Sequence, residues 1–355
     1  MLPPAFTLTT DDVDALALGA ALLGCGGGGR VGQLRTLLAH ATGDALATVV
    51  PASSASGVAN VYAVGYIGSI TVMEEKLPGG EEIVDAVAAA VRWTGVPADA
   101  LMPVQIGGVC GLSAVAAAHR LGCPVVDADF EGRAVPRLDQ FSLAAAGHPA
   151  PPLALTVPGG MTLVLDGTTN QEAVMRAVVA ESGGWGALAL GPLAVASLPD
   201  IAITGTMSAA LSVGRALQEC LGVAAELVGE ALGGRTLAHG RVISVARTAQ
   251  EESFVHGSFA VLDAETGAVV RIEAGSEYLL VALDGDVVVT CPDIISVLDA
   301  RTRTPIDAEL LGPEQEVIVV ALPGPAWWTA SPSRLARVSP RSYGIELDYV
   351  ALQLV

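Results

Sequence analysis

Three stretches of this sequence bring together residue types that could do chemistry. The first is Gly24-Cys25-Gly26-Gly27-Gly28-Gly29. Glycine tolerates positive φ, so successive backbone N–H groups in such a run can turn toward an anion or a polarised oxygen. The run lacks the Gly-Lys-Ser/Thr ending of a P-loop, and no strand precedes it as a dinucleotide fingerprint requires. A tight corner between two helices would call for the same glycines. Cys25 is a nucleophile if the helix that follows lowers its pKa, and a small buried apolar side chain if it does not.

The second stretch, Met73-Glu74-Glu75-Lys76-Leu77-Pro78-Gly79-Gly80-Glu81-Glu82, is dense in charge within an otherwise apolar first half. Lys76 is the only lysine among 18 basic residues. A chain that uses arginine everywhere else has a use here for a compact, titratable ammonium; the plain alternative is a solvated loop. The third stretch is Asp127-Ala128-Asp129-Phe130-Glu131-Gly132-Arg133. Asp127, Asp129 and Glu131 can ligate a divalent ion such as zinc, or with Arg133 orient a polar substrate, or be neutralised by Arg133. Gln105, just before Ile106-Gly107-Gly108, ends a neighbouring strand and is expected to face the same crevice. Gln140 is counted with the substrate-binding candidates.

Five cysteines, an odd number without a C-x-x-C pair, make neither a disulfide framework nor a thiolate zinc site. The five histidines form no local metal motif.

The elements that must position these residues follow from periodicity. Asp11–Leu23 reads as a helix that follows Thr9-Thr10, with an N-cap and an acidic first turn, and Val31–Ala41 resumes after the glycines. Strands are expected at Ala47–Val50, Val61–Ile67, Met102–Ile106 and Cys123–Asp127, alternating with helices at Glu81–Trp93 and Leu112–Leu121. That alternation predicts an α/β layer with parallel strands, whose carboxy ends collect the site. Pro158-Gly159-Gly160 marks a hairpin between Leu153–Val157 and Met161–Leu165. Helices follow at Gln171–Glu181, Thr206–Cys220 and Val223–Ala231, with a strand at Trp185–Leu190. After about residue 233 short strands dominate: Arg241–Ala246, Ser258–Leu262, Leu279–Leu283, Val287–Thr290, Glu316–Leu322 and Leu335–Val338. The expected division is an α/β part, residues 1–167, and a β-rich part with a helical link, residues 168–355.

A net charge of −19 and the absence of a basic block argue against nucleic acid. No charge-free apolar run of about 18 residues is present, and three aspartates precede Ala15–Leu23 where a signal peptide needs positive charge. A cytoplasmic protein without membrane contact is expected. With 52% hydrophobic residues, a homo-oligomer is expected too.

Several segments read together. The glycine run, Glu75-Lys76-Leu77-Pro78-Gly79-Gly80-Glu81, Ala100-Leu101-Met102-Pro103 through Ile106-Gly107-Gly108, and Pro124-Val125-Val126-Asp127-Ala128-Asp129 occur in that order. Pro292-Asp293-Ile294-Ile295-Ser296-Val297-Leu298-Asp299 and Ser342-Tyr343-Gly344 to Leu347-Asp348-Tyr349 follow. The ordered set resembles the S-methyl-thiohydantoin desulfurase family, whose members are often encoded beside, or fused to, hydantoinase/oxoprolinase subunits. The resemblance implies an amino-terminal α/β domain and a β-rich carboxy-terminal domain. It also implies removal of sulfur from a thiohydantoin or S-methyl-thiohydantoin ring to leave a hydantoin. The chain departs from the family pattern at Arg30-Val31, Gln105, Cys110 and Phe130-Glu131. These changes make the crevice less negative, which suits an anionic ring better than a metal.

On that resemblance, Asp127 or Asp129 activates water, directly or through a metal. Lys76 and Arg133 stabilise the ring, and Glu75 orients Lys76. The amides of Gly26, Gly27, Gly28 and Gly29 hold an anionic group, and Cys25 is the covalent alternative. A hydantoinase-like cyclic amide hydrolase and a non-catalytic subunit of a hydantoinase/oxoprolinase partner are the competing expectations. The glycine loop, Lys76, Gln105 and the Asp127–Arg133 loop are expected to line one crevice.

Overall fold

Strands buried at consecutive positions are covered on both faces, and two such strands form the centre of the molecule. The computed structural model describes residues 4–53, 57–167, 169–249 and 255–354; position 168, the expected start of the second part, lies outside them. β4 (Ala100–Pro103) and β5 (Val125–Asp129) are buried at every position. β2 (Ala45–Pro51), β5, β4 and β3 (Asn60–Gly68) lie side by side as parallel neighbours. β1 (Phe6–Thr9) closes one side of this sheet. β8 (Trp185–Ala194), β6 (Leu153–Thr156) and β7 (Thr162–Leu165) extend the other with antiparallel pairs, and β9 (Ile203–Thr204) pairs with β5.

The crossovers are helical. After α1 (Val13–Leu23) and α2 (Gly32–Ala39), the short α3 (Ile70–Glu75) and then α4 (Glu82–Thr94) link β3 to β4. α5 (Val109–Leu121) links β4 to β5. α4 buries Ile83, Ala86, Val87 and Ala90 at helical spacing, with Glu82 and Asp85 in its first turn, where carboxylates favour the helix dipole. The carboxy ends of β3, β4 and β5 therefore lie at one edge. No described helix is long and apolar enough to cross a membrane.

The second sheet is antiparallel throughout, in the order β14-β13-β12-β11-β10-β16-β15: Asp286–Thr290, Tyr278–Leu283, Val269–Ala274, Val255–Asp263, Arg235–Ala249, Glu316–Leu322 and Ile294–Asp299. Both faces of β15 and β16 are covered. Ile294, Leu298, Ile318 and Val320 join the core of the first sheet, while Val297, Val317 and Val319 join the core of the second. That is why residues 317–322 of β16 read as an unbroken apolar run and β15 is apolar at every position but Ser296 and Asp299.

The fold class is the expected one, an α/β amino half and a β-rich carboxy half. Three local expectations need correction. Leu335–Val338 is not a strand but part of a helix, Pro332–Val338. Ser331 at its N-cap and Pro332 at its first position start it, and both outweigh the strand propensity of a short apolar segment. Val223–Ala231 is no continuous helix but two short turns, Ala225–Leu227 and Val228–Ala231. The strand expected at Met102–Ile106 ends at Pro103, which frees Gln105 to stand in a loop.

Candidate functional site

The glycine loop packs backbone to backbone at the strand ends. Cys25, Gly26, Gly28 and Gly29 all have positive φ. A Cβ at Gly26 would stand 2.4 Å from the Tyr278 ring, and one at Gly27 would stand 2.7 Å from Cγ of Glu277. One at Gly28 would stand 2.8 Å from the Gly107 carbonyl oxygen and 3.0 Å from Gln105 Nε2. The loop therefore needs glycine for close approach to both halves of the molecule. Its carbonyls are engaged: Tyr278 N–H donates to Cys25 (2.7 Å), Ala308 N–H to Gly26 (2.8 Å) and Val109 N–H to Gly28 (2.9 Å). The amides of Gly28 and Gly29 donate to no backbone carbonyl among the described residues.

Beside this loop lies a cleft of about 150 Å³, bounded by both halves. Its polar lining is Gly28, Gly29, Gln105, Arg176, Ser276 and Glu277; Tyr66, Ile67, Met73 and Val109 supply apolar walls. The Tyr66 wall is braced by Trp185, edge to face at 5.7 Å. Gln105 Nε2 is buried without a hydrogen-bond partner. A buried, unpaired amide donor costs about 1–3 kcal/mol, a cost that a ligand carbonyl would remove. Glu277 is 4% exposed and accepts a hydrogen bond from Ser276 Oγ at 2.8 Å. Burial raises its carboxyl pKa, which suits a group that both takes and returns a proton. Arg176 is fixed at the rim, donating from Nε to Glu172 (2.8 Å) and from Nη2 to the Pro136 carbonyl (2.7 Å). Larger hollows, of about 630 Å³ beside Asp263 and about 450 Å³ beneath Trp327, contain no residue of the glycine run from Gly24 to Gly29.

Of the residues singled out in the sequence, Gly28, Gly29 and Gln105 line the cleft. Gly26 and Gly27 lie behind it, against Tyr278 and Glu277. Cys25 is fully buried, its thiol pKa raised by burial, and donates to the Leu23 carbonyl at 3.5 Å. Asp127 anchors the first turn of helix Thr206–Glu219. It accepts from Met207 N–H (2.8 Å), Ser208 N–H (3.2 Å) and Ser208 Oγ (2.5 Å). Asp129 accepts from Ile106 N–H at 2.6 Å and from Gly132 N–H at 2.9 and 3.0 Å. Burial pushes its pKa up to about 7 despite these bonds. Glu131 accepts from Val135 N–H at 2.9 Å; burial, and then the neighbouring Asp129, raise its pKa well above the carboxylate range.

Each of these carboxylates is thus turned to its own backbone amides. Among the described residues no three His, Cys, Asp or Glu side chains converge to hold a metal. Arg133 is fully buried and donates only to carbonyls, those of Ala134 (3.2 Å), Asp293 (2.8 Å) and Tyr278 (3.0 Å). Lys76 and Glu75 are exposed at the end of α3 and do not line the cleft, although Met73 of the same helix does. Gln140 is buried elsewhere, donating to the Arg337 carbonyl at 3.1 Å.

Three polar residues of the cleft were not anticipated: Arg176, Ser276 and Glu277. Glu277 sits in the turn between β12 and β13, and the strand expectations left out β12. The available signal was one acid between Gly275-Ser276 and the apolar run Tyr278–Leu283.

No match is found among curated proteins. A crystal structure of a protein from Chromobacterium violaceum is similar in fold, with a TM-score of 0.80 and 24% identity over 98% of this chain and 100% of that one. Residues 11–167 match the family model of the S-Me-THD-like N-terminal domain, and residues 166–352 that of the S-Me-THD-like C-terminal domain. Matched in order over nearly its whole length, the chain belongs to the S-Me-THD-like family.

Proposed function

We propose that the cleft binds a five-membered ureide ring and hydrolyses the carbon–sulfur bond at C2 of an S-methyl-thiohydantoin. The observation that carries this reading is the unpartnered Nε2 of Gln105, buried at a cleft that Glu277 also lines. A cyclic ureide alternates C=O and N–H along one edge, so it needs a fixed donor beside a fixed acceptor. Gln105 and the amides of Gly28 and Gly29 are the donors, and Glu277 is the acceptor.

Glu277 takes a proton from water, whose oxygen adds to C2. Electron density shifts onto the ring nitrogen, where the amide donors meet it. As the intermediate collapses, the adduct's hydroxyl proton passes to the ring nitrogen, the C2=O of the hydantoin forms, the C2–S bond breaks, and methanethiol leaves with the proton that Glu277 held. Ring and water in, hydantoin and methanethiol out, the step balances without an oxidant.

The purified protein incubated with S-methyl-2-thiohydantoin should release free thiol and hydantoin in equal amounts. Glu277→Gln should lose at least about a hundredfold in turnover, the ordinary range for removing a general base. Gln105→Ala should lose about tenfold or more in kcat/KM. Release of no thiol, with no saturable binding of the ring, would overturn the reading. A ring-opened carbamoyl acid formed from hydantoin itself would point instead to a cyclic amide hydrolase.

A further inference from the structure

Arg133 presents a guanidinium with no exposure to solvent and no ion-pair partner among the described residues. Burying a charge without a direct ion pair costs several kcal/mol, so its placement requires a reason. Its hydrogen bonds supply one. Nε holds the Ala134 carbonyl on its own strand-end loop, while Nη1 and Nη2 reach Asp293 and Tyr278 in the carboxy-terminal half. Tyr278 directly follows Glu277, and its N–H donates to the Cys25 carbonyl of the glycine loop. One side chain of the amino half therefore grips the hairpin that carries Glu277.

We infer that Arg133 is a positioning residue, fixing the Glu277 hairpin against the glycine loop and setting a permanent positive charge beside the Glu277 carboxyl. The inference rests on the cleft reading for the role of Glu277, but not for the contacts themselves. The ionisable groups near Glu277 are Glu131, Cys25, Cys291, Tyr343 and Arg133, and Arg176 lines the same cleft. Arg133 is the one buried cation of that set, and it offsets part of the burial that opposes ionisation of Glu277. Without it, Glu277 would hold its proton to higher pH and would be a base for less of the physiological range.

The test is a carbon-13 titration of the glutamate carboxyls in the full chain, with Glu277 assigned by its absence in Glu277→Gln. In Arg133→Met the Glu277 midpoint should rise by at least about one pH unit. In Arg133→Lys, which keeps the charge but cannot span all three carbonyls, the midpoint should stay near wild type. Hydrogen exchange at the Tyr278 amide should then accelerate by about tenfold or more. An unmoved midpoint in Arg133→Met would overturn the inference. If Arg133→Met yields no folded protein, Arg133→Lys decides alone: unchanged Tyr278 exchange, or a midpoint raised despite the retained charge, overturns it. None of these readings requires turnover. A protein inactive on S-methyl-2-thiohydantoin would sink the proposed reaction while leaving this measurement intact.

Discussion

At the scale of single residues, burial sorts the polar groups by what they can do. Asp127, Asp129 and Glu131 each meet backbone amides within 3.2 Å, so each closes a loop or caps a helix. Glu277 is as deeply buried but meets a serine hydroxyl and its own amide rather than another element, and it borders the cleft. Lys76 offers a discriminating test. If it touched the ring, Lys76→Arg would lose about tenfold in turnover, since a wider fork cannot replace a compact ammonium. Its exposed position outside the cleft predicts turnover on S-methyl-2-thiohydantoin within about twofold of wild type and a stability change under about 0.5 kcal/mol. Steady-state rates and a thermal melt of the one variant decide between the two.

At the scale of elements, the amino half depends on close contact between helix α1 and helix Thr206–Glu219. Gly19 lies against Ala210, and a Cβ there would stand 1.8 Å from the Ala210 carbonyl oxygen. Gly214 lies against Ala15, where a Cβ would stand 1.7 Å from the carbonyl oxygen. Both clashes are with backbone, which cannot swing aside as a side chain can. Gly214→Ala should therefore destabilise by about 3 kcal/mol or more, although alanine has the higher helix propensity. A urea midpoint at or above wild type would show that the two helices can separate without cost. The same helix is anchored by Asp127 of β5, so its displacement should also loosen the sheet edge that carries the site.

At the scale of the whole molecule, the interface between the halves carries several acids whose charged forms are disfavoured. Burial holds Asp129 at about 7 and Asp307 at about 6, the latter against the opposing pull of Arg30, and raises Glu131 and Glu277 as well. An acid raised on folding binds its proton more tightly in the native state. Its contribution to stability is complete below the unfolded value near 4 and is lost as pH rises through the folded value. The acids shifted downward, Asp12, Asp14, Asp263 and Asp299, act in the opposite sense, and only near pH 4 and below. The melting temperature should therefore fall by at least about 3 °C between about pH 5 and about pH 8. A flat or rising profile in calorimetry would mean that these carboxyls are better solvated than their burial implies.

Much of this protein is legible along the chain. Helices α4 and α5, the β6–β7 hairpin and the strand Glu316–Leu322 follow from periodicity and turn residues, because each is decided by interactions spanning fewer than about 15 residues. The glycine run and the loop at Gln105 were recognisable for the same reason, since close backbone approach has a local signature. Tertiary structure alone decided which polar groups share a space. Glu277 reaches the glycine loop through a hairpin of the distant second sheet, and no local pattern encodes that contact. Lys76 stands apart from the cleft because a short helix places Met73 on the cleft side and ends before it. The Asp127–Arg133 run had the composition of a site, yet each member found a backbone partner on folding. Composition counts charged groups, whereas only packing determines whether a carboxylate ends against an amide, another loop or an open cleft.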